Sequence, residues 1–287
     1  MSDLKKFEIP GHVTLADGNG GLSKLLIETE WSTAEIYLHG AHVTHFQKKG
    51  EAPLLFLSEA SEFHAEKPIR GGIPIIFPWF GPREGLPSHG FARNVEWDIK
   101  ETTQLADGAV RICLRMPAVE FHDVEYIVTV GDTLALELLV GNTGEKEASF
   151  ETCLHTYFQI GSIDDVSITG LKDTGYFDKV KETGALETAS AIRIEGEVDR
   201  VYFDTTAAVE IIDTKIGRKI RIEKSGSAST VVWNPWIAKS KAMADFGDDE
   251  YLQMLCVESG NVTKNKIILP PGECAVLKVE VSSVELA

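Results

Sequence analysis

The sequence predicts an all-β protein, a single large antiparallel β-sandwich, on three observations. Short β-prone runs follow one another between turn signals, no long 3.6-residue periodicity with helix caps interrupts them, and no Ser/Gly-rich linker separates two cores. The turn signals are Asp17-Gly18, Asp107-Gly108, Gly131-Asp132, Thr143-Gly144 and Pro270-Pro271-Gly272. Such pairs favour tight reversals because Gly accepts positive φ, Asp bonds to its own backbone and Pro presets its φ. The runs from Val209 to Ile212 and from Lys219 to Ile222 flank a turn ending at Gly217, as a hairpin requires. In the last run Ala275, Leu277, Val279 and Val281 alternate with Val276, Lys278 and Glu280, so one face of that strand is apolar. A chain of 287 residues leaves one or two domains open by length, and the missing linker points to one domain over 1–287.

Composition narrows the partners. With 43% hydrophobic residues the chain can build a core and is not disordered. Its 28 Lys+Arg against 44 Asp+Glu give a net charge of −16, which repels phosphate backbones and anionic lipid, so neither nucleic acid nor membrane is an expected partner. The stretch from Met1 to Pro10 lacks the apolar core of a secretion signal, and no apolar run approaches the ~18 residues of a membrane helix. A soluble, cytoplasmic monomer is expected. Cys113, Cys153, Cys256 and Cys274 are widely spaced among apolar or β-prone neighbours, which predicts buried free thiols rather than a zinc site or a disulfide framework.

One stretch departs from the strand pattern. Between Arg70 and Arg93, nine of 24 residues are Gly or Pro, yet Ile73, Ile75, Ile76, Phe77, Trp79 and Phe80 make the segment apolar. A stiff, apolar loop is expected to pack and to carry a site. It holds Arg70, Arg83 and Arg93, with Ser88 and His89 in Ser88-His89-Gly90-Phe91-Ala92-Arg93. Guanidinium groups gathered on one ordered loop suit a phosphate or carboxylate, although pairing with nearby Glu84, Glu96 or Asp98 is the ordinary fate of such arginines.

Two strands carry the other candidates. In Thr152-Cys153-Leu154-His155-Thr156-Tyr157-Phe158, alternation puts Cys153, His155 and Tyr157 on one face, where His155 is either a hydrogen-bonded core histidine or a proton carrier. Further on, Leu252, Met254, Cys256 and Glu258 share a face, and a carboxylate ending an apolar stripe either reaches solvent or is paired and used. His39, His42 and His45 are spaced by three, which in a strand alternates faces and argues against a shared metal. Trp233-Asn234-Pro235-Trp236 reads equally as a sugar-stacking loop or as an aromatic corner.

Together these segments resemble the glucose-6-phosphate 1-epimerases, or hexose-6-phosphate mutarotases, of the aldose 1-epimerase superfamily. The blocks Arg70-Gly71-Gly72-Ile73-Pro74 with Phe77-Pro78, Ser88 to Arg93, Leu154 to Phe158, Trp233 to Trp236 and Val257-Glu258-Ser259-Gly260-Asn261 occur in the family's order, and the likeness runs from about Glu28 to the last strand. The resemblance implies a galactose mutarotase-like β-supersandwich that needs no cofactor or metal. It implies His155 and Glu258 as catalytic, Arg70 and Arg93 as substrate-binding, His89 as a site histidine, and Asp204 as the aspartate holding sugar hydroxyls. Ser88 stands where some relatives have Gln, so its side-chain contact is the least secured of these.

The implied substrate is a hexose 6-phosphate. Glu258 would take the anomeric proton while His155 protonates the ring oxygen, the aldehyde would rotate about C1–C2, and closure would return both protons. The acidic excess is expected to help by favouring imidazolium. The alternatives are a mutarotase for neutral aldoses such as galactose, a non-catalytic carbohydrate-binding module and, more remotely, a two-carboxylate glycosidase.

Overall fold

Along the strand Leu134–Asn142 every second residue is buried, from Leu134 through Leu136, Leu138 and Val140 to Asn142. The intervening positions are partly exposed, the pattern of a strand with one face on a core. The computed structural model, which describes residues 4–118 and 122–286, repeats this pattern across three sheets. An eight-stranded antiparallel sheet runs in the order Val166–Thr169, Val209–Asp213, Arg218–Ser225, Cys274–Glu285, Leu134–Asn142, His122–Val130, Val110–Arg115 and Asp98–Gln104. A second sheet of eight runs from Thr183–Leu186 through Gly175–Asp178, Val198–Phe203, Ser229–Asn234, Met254–Asn261 and Thr152–Leu154 to Ile75–Ile76. Tyr157–Gln159 also pairs with Met254–Asn261. Val13–Asp17, Ser23–Glu28, Ser32–Tyr37 and His42–Lys48 form a four-stranded antiparallel sheet.

One buried cluster joins the three sheets, with Leu136, Val128 and Ile222 from the first, Leu154, Val232, Leu255 and Val257 from the second, and Leu25 and Ile36 from the third. The single α-helix among the described residues, Trp236–Ala242, is far too short to cross a membrane. Of the N-terminal stretch Met1 to Pro10, residues 1–3 lie outside the described residues, and Leu4 and Phe7 rest on the core.

Most turn signals close hairpins, but two do not. Asn142 leaves the first sheet before Thr143-Gly144, and Ala148–Phe150 then pairs with Ile267–Leu269 rather than with the preceding strand. Pro270-Pro271-Gly272 returns the chain from that ribbon to Cys274–Glu285. Asn142 Nδ2 joins these two corners by donating to Lys146 O and Leu269 O, at 2.8 Å each. Cys113, Cys153 and Cys256 are buried and free as expected, whereas Cys274 is free but exposed, at the first position of its strand.

The segment from Arg70 to Arg93 is ordered mainly by close packing, with only Ile75–Ile76 as strand and Ala92–Asn94 as a 3-10 turn. Gly90 shows why small residues are needed here. Its φ is +74°, and a Cβ on it would lie 1.9 Å from the Phe77 carbonyl oxygen, so a side chain would drive the His89 region away from the Phe77 backbone.

Candidate active site

Strand registry builds a chemical row on the outer face of the second sheet. Asp199 lies opposite Trp233, Trp233 opposite Cys256, and Cys256 opposite Tyr157. Two residues further along, Val201, Val231 and Glu258 form the next row. Their strand neighbours Tyr202, Val232 and Val257 point into the main core. The outer face is itself covered by two small apolar clusters, one with Phe56, Tyr157, Trp233 and Cys256, the other with Ile76, Cys153, Val201 and Val231. Glu258 therefore does not reach solvent at a strand end: it is 1% exposed in mid-strand.

His155 arrives from the adjoining strand. Thr152–Leu154 gives way at His155–Thr156 and resumes at Tyr157–Gln159. The Gly/Pro segment runs alongside, so that His155 N donates to Pro74 O at 3.0 Å and Tyr157 N to Gly72 O at 2.9 Å. This places His155 Nε2 3.3 Å from Glu258 Oε1. The imidazole stacks on Tyr157, with ring centroids 4.8 Å apart and planes at 13°, and meets Trp233 and His89 edge-on. Both members of the pair line a cavity of about 270 Å³ that also receives Arg70, Ser88, His89 and Arg93.

The two arginines differ. Arg70 Nε and Nη2 donate to Asp245 Oδ2 at 3.2 and 3.0 Å, and Nη1 donates to Tyr157 Oη at 2.9 Å. Its carboxylate partner lies far along the chain, not among Glu84, Glu96 and Asp98. Burial opposes its charge, but Tyr157 and Asp245 outweigh burial and leave its pKa raised. Arg93 is 8% exposed and donates from Nη2 to Ser88 O at 2.7 Å, while its buried Nε has no partner among the described residues. Burial, and then Arg70, lower the Arg93 pKa to about 10. Among the described residues no carboxylate pairs with this buried guanidinium, which leaves donor capacity that an anion could use.

Ser88 is exposed and contributes its carbonyl to Arg93 rather than its hydroxyl to a protein partner. His89 accepts a bond from Gly81 N on Nδ1, which puts its ring proton on Nε2, and burial together with Arg93 lowers its pKa to about 3. It is a neutral donor at working pH. Burial pushes Glu258 well above the usual carboxylate range, with Asp199 adding to the effect. Burial pushes His155 well below the usual imidazole range, and His89, Arg93 and Arg70 push the same way. The net charge of −16 is thus a poor guide to this site: Arg93 and Arg70 act against imidazolium at His155, although the Glu258 carboxyl lies beside it.

Asp204 lies apart from the other expected site residues. The resemblance implies it as the ligand of sugar hydroxyls, but its side chain is 66% exposed, bonded to Lys264 at 2.7 Å and Asn265 at 2.7 Å, in a separate surface depression. It lies five residues beyond Asp199, past the end of the strand Val198–Phe203. Asp199 is the aspartate that lines the cavity, paired with Lys179 at 3.2 Å. Lys179 also stands over the Phe80 ring, and Lys239 of the short helix enters the same cavity while paired to Glu197. Neither Asp199 nor Lys179 is marked by any motif of the sequence. The one available signal for Asp199 was alternation, which gives it the face of Val201 and Phe203. His39 and His42 instead donate to the carbonyls of Lys67 and Gly71, and His42 thereby helps to hold the start of the Arg70 loop. Among the described residues no three His, Cys, Asp or Glu side chains are placed to share a metal ion.

The family model for aldose 1-epimerase matches residues 23–282. The chain belongs to the aldose 1-epimerase family. A protein of Cenchrus ciliaris is 39% identical over 272 residues, covering 88% of this chain and 82% of the relative. One of Escherichia coli K12 is 34% identical over 260 residues, covering 85% and 87%. Both carry the name "Putative glucose-6-phosphate 1-epimerase". The crystal structure of a "putative mutarotase (YeaD)" from Salmonella typhimurium superposes with a TM-score of 0.89 at 28% identity, over 97% of this chain and 95% of that one. This aldose 1-epimerase family member has the galactose mutarotase-like all-β fold, in agreement with the hairpin pattern of its sequence.

Proposed function

We propose that this epimerase interconverts the α and β anomers of hexose 6-phosphates, D-glucose 6-phosphate first among them, by acid–base ring opening and closure. The observation that carries this reading is the His155–Glu258 pair, 3.3 Å apart and buried at the back of a cavity that also holds an uncompensated arginine. Glu258 removes the proton from the anomeric hydroxyl and His155 delivers one to the ring oxygen. Rotation about C1–C2 then presents the other carbonyl face, and the two groups exchange roles on closure. Each step needs a positioned acid and a positioned base, worth ~10²- to 10⁴-fold apiece.

Burial favours neutral forms of both groups, so the pair carries one proton, and their direct contact lets that proton move between them. A phosphate dianion entering at Arg93 offsets the cationic field that disfavours imidazolium, so substrate binding itself primes His155 as the acid. Arg93 is the proposed phosphate anchor, with Arg70 behind it holding Tyr157. Asp199 holds sugar hydroxyls, and neutral His89 donates to a sugar oxygen. Segments from Arg70 to Glu258 all contribute to one cavity, which supports the reading of a single domain over residues 1–287; a soluble cytoplasmic monomer is proposed with it.

Saturation-exchange NMR of glucose 6-phosphate anomers tests the reading with wild type, His155→Ala and Glu258→Ala. Loss of catalysed exchange in both variants is expected, and undiminished exchange in both overturns it. Faster exchange of galactose than of glucose 6-phosphate by the wild type overturns the assignment of a phosphorylated substrate.

A further inference from the structure

Glu258 has side-chain partners on both oxygens, and they are different partners. His155 Nε2 lies 3.3 Å from Oε1, and Cys153 Sγ lies 3.5 Å from Oε2. We propose that Cys153 is a positioning residue for Glu258: its thiol donates to Oε2 and so turns Oε1 toward His155 and the cavity. The inference rests on the acid–base reading above and concerns how the base is held.

A second feature is built around this contact. Cys153 lies opposite Gly260 in register, and a Cβ on Gly260 would stand 2.8 Å from both Cβ and Sγ of Cys153 and 2.4 Å from Thr152 O. The sequence Glu258-Ser259-Gly260 thus provides the carboxylate and, two residues on, the gap that admits the thiol beside it. Cys153 is fully buried, and burial with the neighbouring carboxylate pushes its thiol well above its ordinary range, so it remains protonated and able to donate.

The choice of sulfur has a chemical consequence. A carboxylate buried without hydrogen bonds is costly and free to turn, whereas strong donors to both oxygens would stabilise the anion and weaken it as a base. A thiol is a weak donor, so it fixes the direction of the carboxylate with little loss of basicity. The other titratable or charged groups facing Glu258 are His155 beside it, Cys256 two residues before it, and Asp199, Lys179 and Arg93 across the cavity. None of them bonds to Oε2 among the described residues.

The test is the pH dependence of kcat and KM for glucose 6-phosphate anomer exchange in wild type, Cys153→Ala and Cys153→Ser. Losing one weak bond, Cys153→Ala is expected to lower kcat on the order of tenfold with KM nearly unchanged. Its acid limb moves to higher pH, because removing a donor to the charged form raises the carboxylate pKa. Cys153→Ser is expected to recover most of kcat and to move that limb below the wild-type position. Wild-type profiles in both variants, or equal losses in both with unmoved limbs, overturn the proposal.

If neither variant folds, the S–H stretching band serves instead: it is expected at lower frequency in wild type than in Glu258→Ala, and an identical band in the two overturns the proposal. Unimpaired exchange by Glu258→Ala defeats the acid–base reading itself. An inactive Glu258→Ala with unaffected Cys153 variants defeats only the positioning role.

Discussion

The strand Met254–Asn261 is buried at every position, yet its two faces serve different ends. Leu255 and Val257 close the main core, while Met254, Cys256 and Glu258 face a thinner apolar layer formed with Tyr157 and Trp233. Burial alone therefore does not separate core from site. The difference is that Glu258 must find partners for its oxygens, and those partners, His155 and Cys153, come from a strand about a hundred residues earlier. A face of hydrocarbon is satisfied by any well-shaped neighbour, whereas a buried carboxylate requires particular atoms in particular places.

The largest expected effect sharpens this contrast from the outer face. Glu258→Gln keeps the volume and removes the base, so anomer exchange should fall by ~10²- to 10⁴-fold with stability intact or increased, since a buried ionisable group is gone. NMR exchange and denaturant unfolding on one sample check both halves. From the inner face, Leu255→Ala should lower stability by about 2–5 kcal/mol while exchange per folded molecule stays near wild type. A Leu255 variant that folds well but fails to turn over would break the comparison.

The two arginines offer a smaller version of the same contrast. Among the described residues Arg93 lacks a carboxylate partner, whereas Arg70 has Asp245. Arg93→Ala should raise KM for glucose 6-phosphate about 10- to 100-fold, the worth of a charge-assisted contact, and leave unphosphorylated glucose unaffected. Arg70→Ala should instead affect both sugars alike, because it frees Tyr157, the ring on which His155 stacks. Equal losses for both sugars in the Arg93 variant would show that this arginine does not read the phosphate.

A third test reaches the scaffold through pH. Burial holds His42 at about 3, from an ordinary 6.5, while its ring donates to Gly71. Between these values the unfolded chain binds the extra proton, so stability is fully present above pH 6.5 and is lost as pH falls toward 3. Going from pH 7.5 to 5.5 should cost about 1.4 kcal/mol through this residue, and His42→Gln should remove that part of the slope in urea titrations. The smallest effect is expected at Asp204, where Asp204→Asn should leave kcat and KM unchanged and Asp199→Asn should raise KM. The reverse result would restore Asp204 to the site.

What could be read from the chain alone follows from local rules. Period-two alternation assigned Cys153, His155 and Tyr157 to one face and Leu252, Met254, Cys256 and Glu258 to another; the contacts seen agree except at Leu252, which lies in the 3-10 turn Glu250–Gln253 before the strand begins at Met254. Turn chemistry located the hairpins, and Gly/Pro density located the packed loop that carries Arg70, His89 and Arg93. These are properties of neighbouring residues, and the backbone's own geometry enforces them. Only the tertiary structure could decide registry: that Asp199 rather than Asp204 sits level with Trp233, that Asp245 takes Arg70 while Arg93 has no carboxylate partner among the described residues, and that Arg93 and Arg70 oppose imidazolium at His155 in a protein of charge −16. Pairing between distant strands and Coulomb interactions over a few ångströms depend on positions in space, which spacing along a chain does not encode.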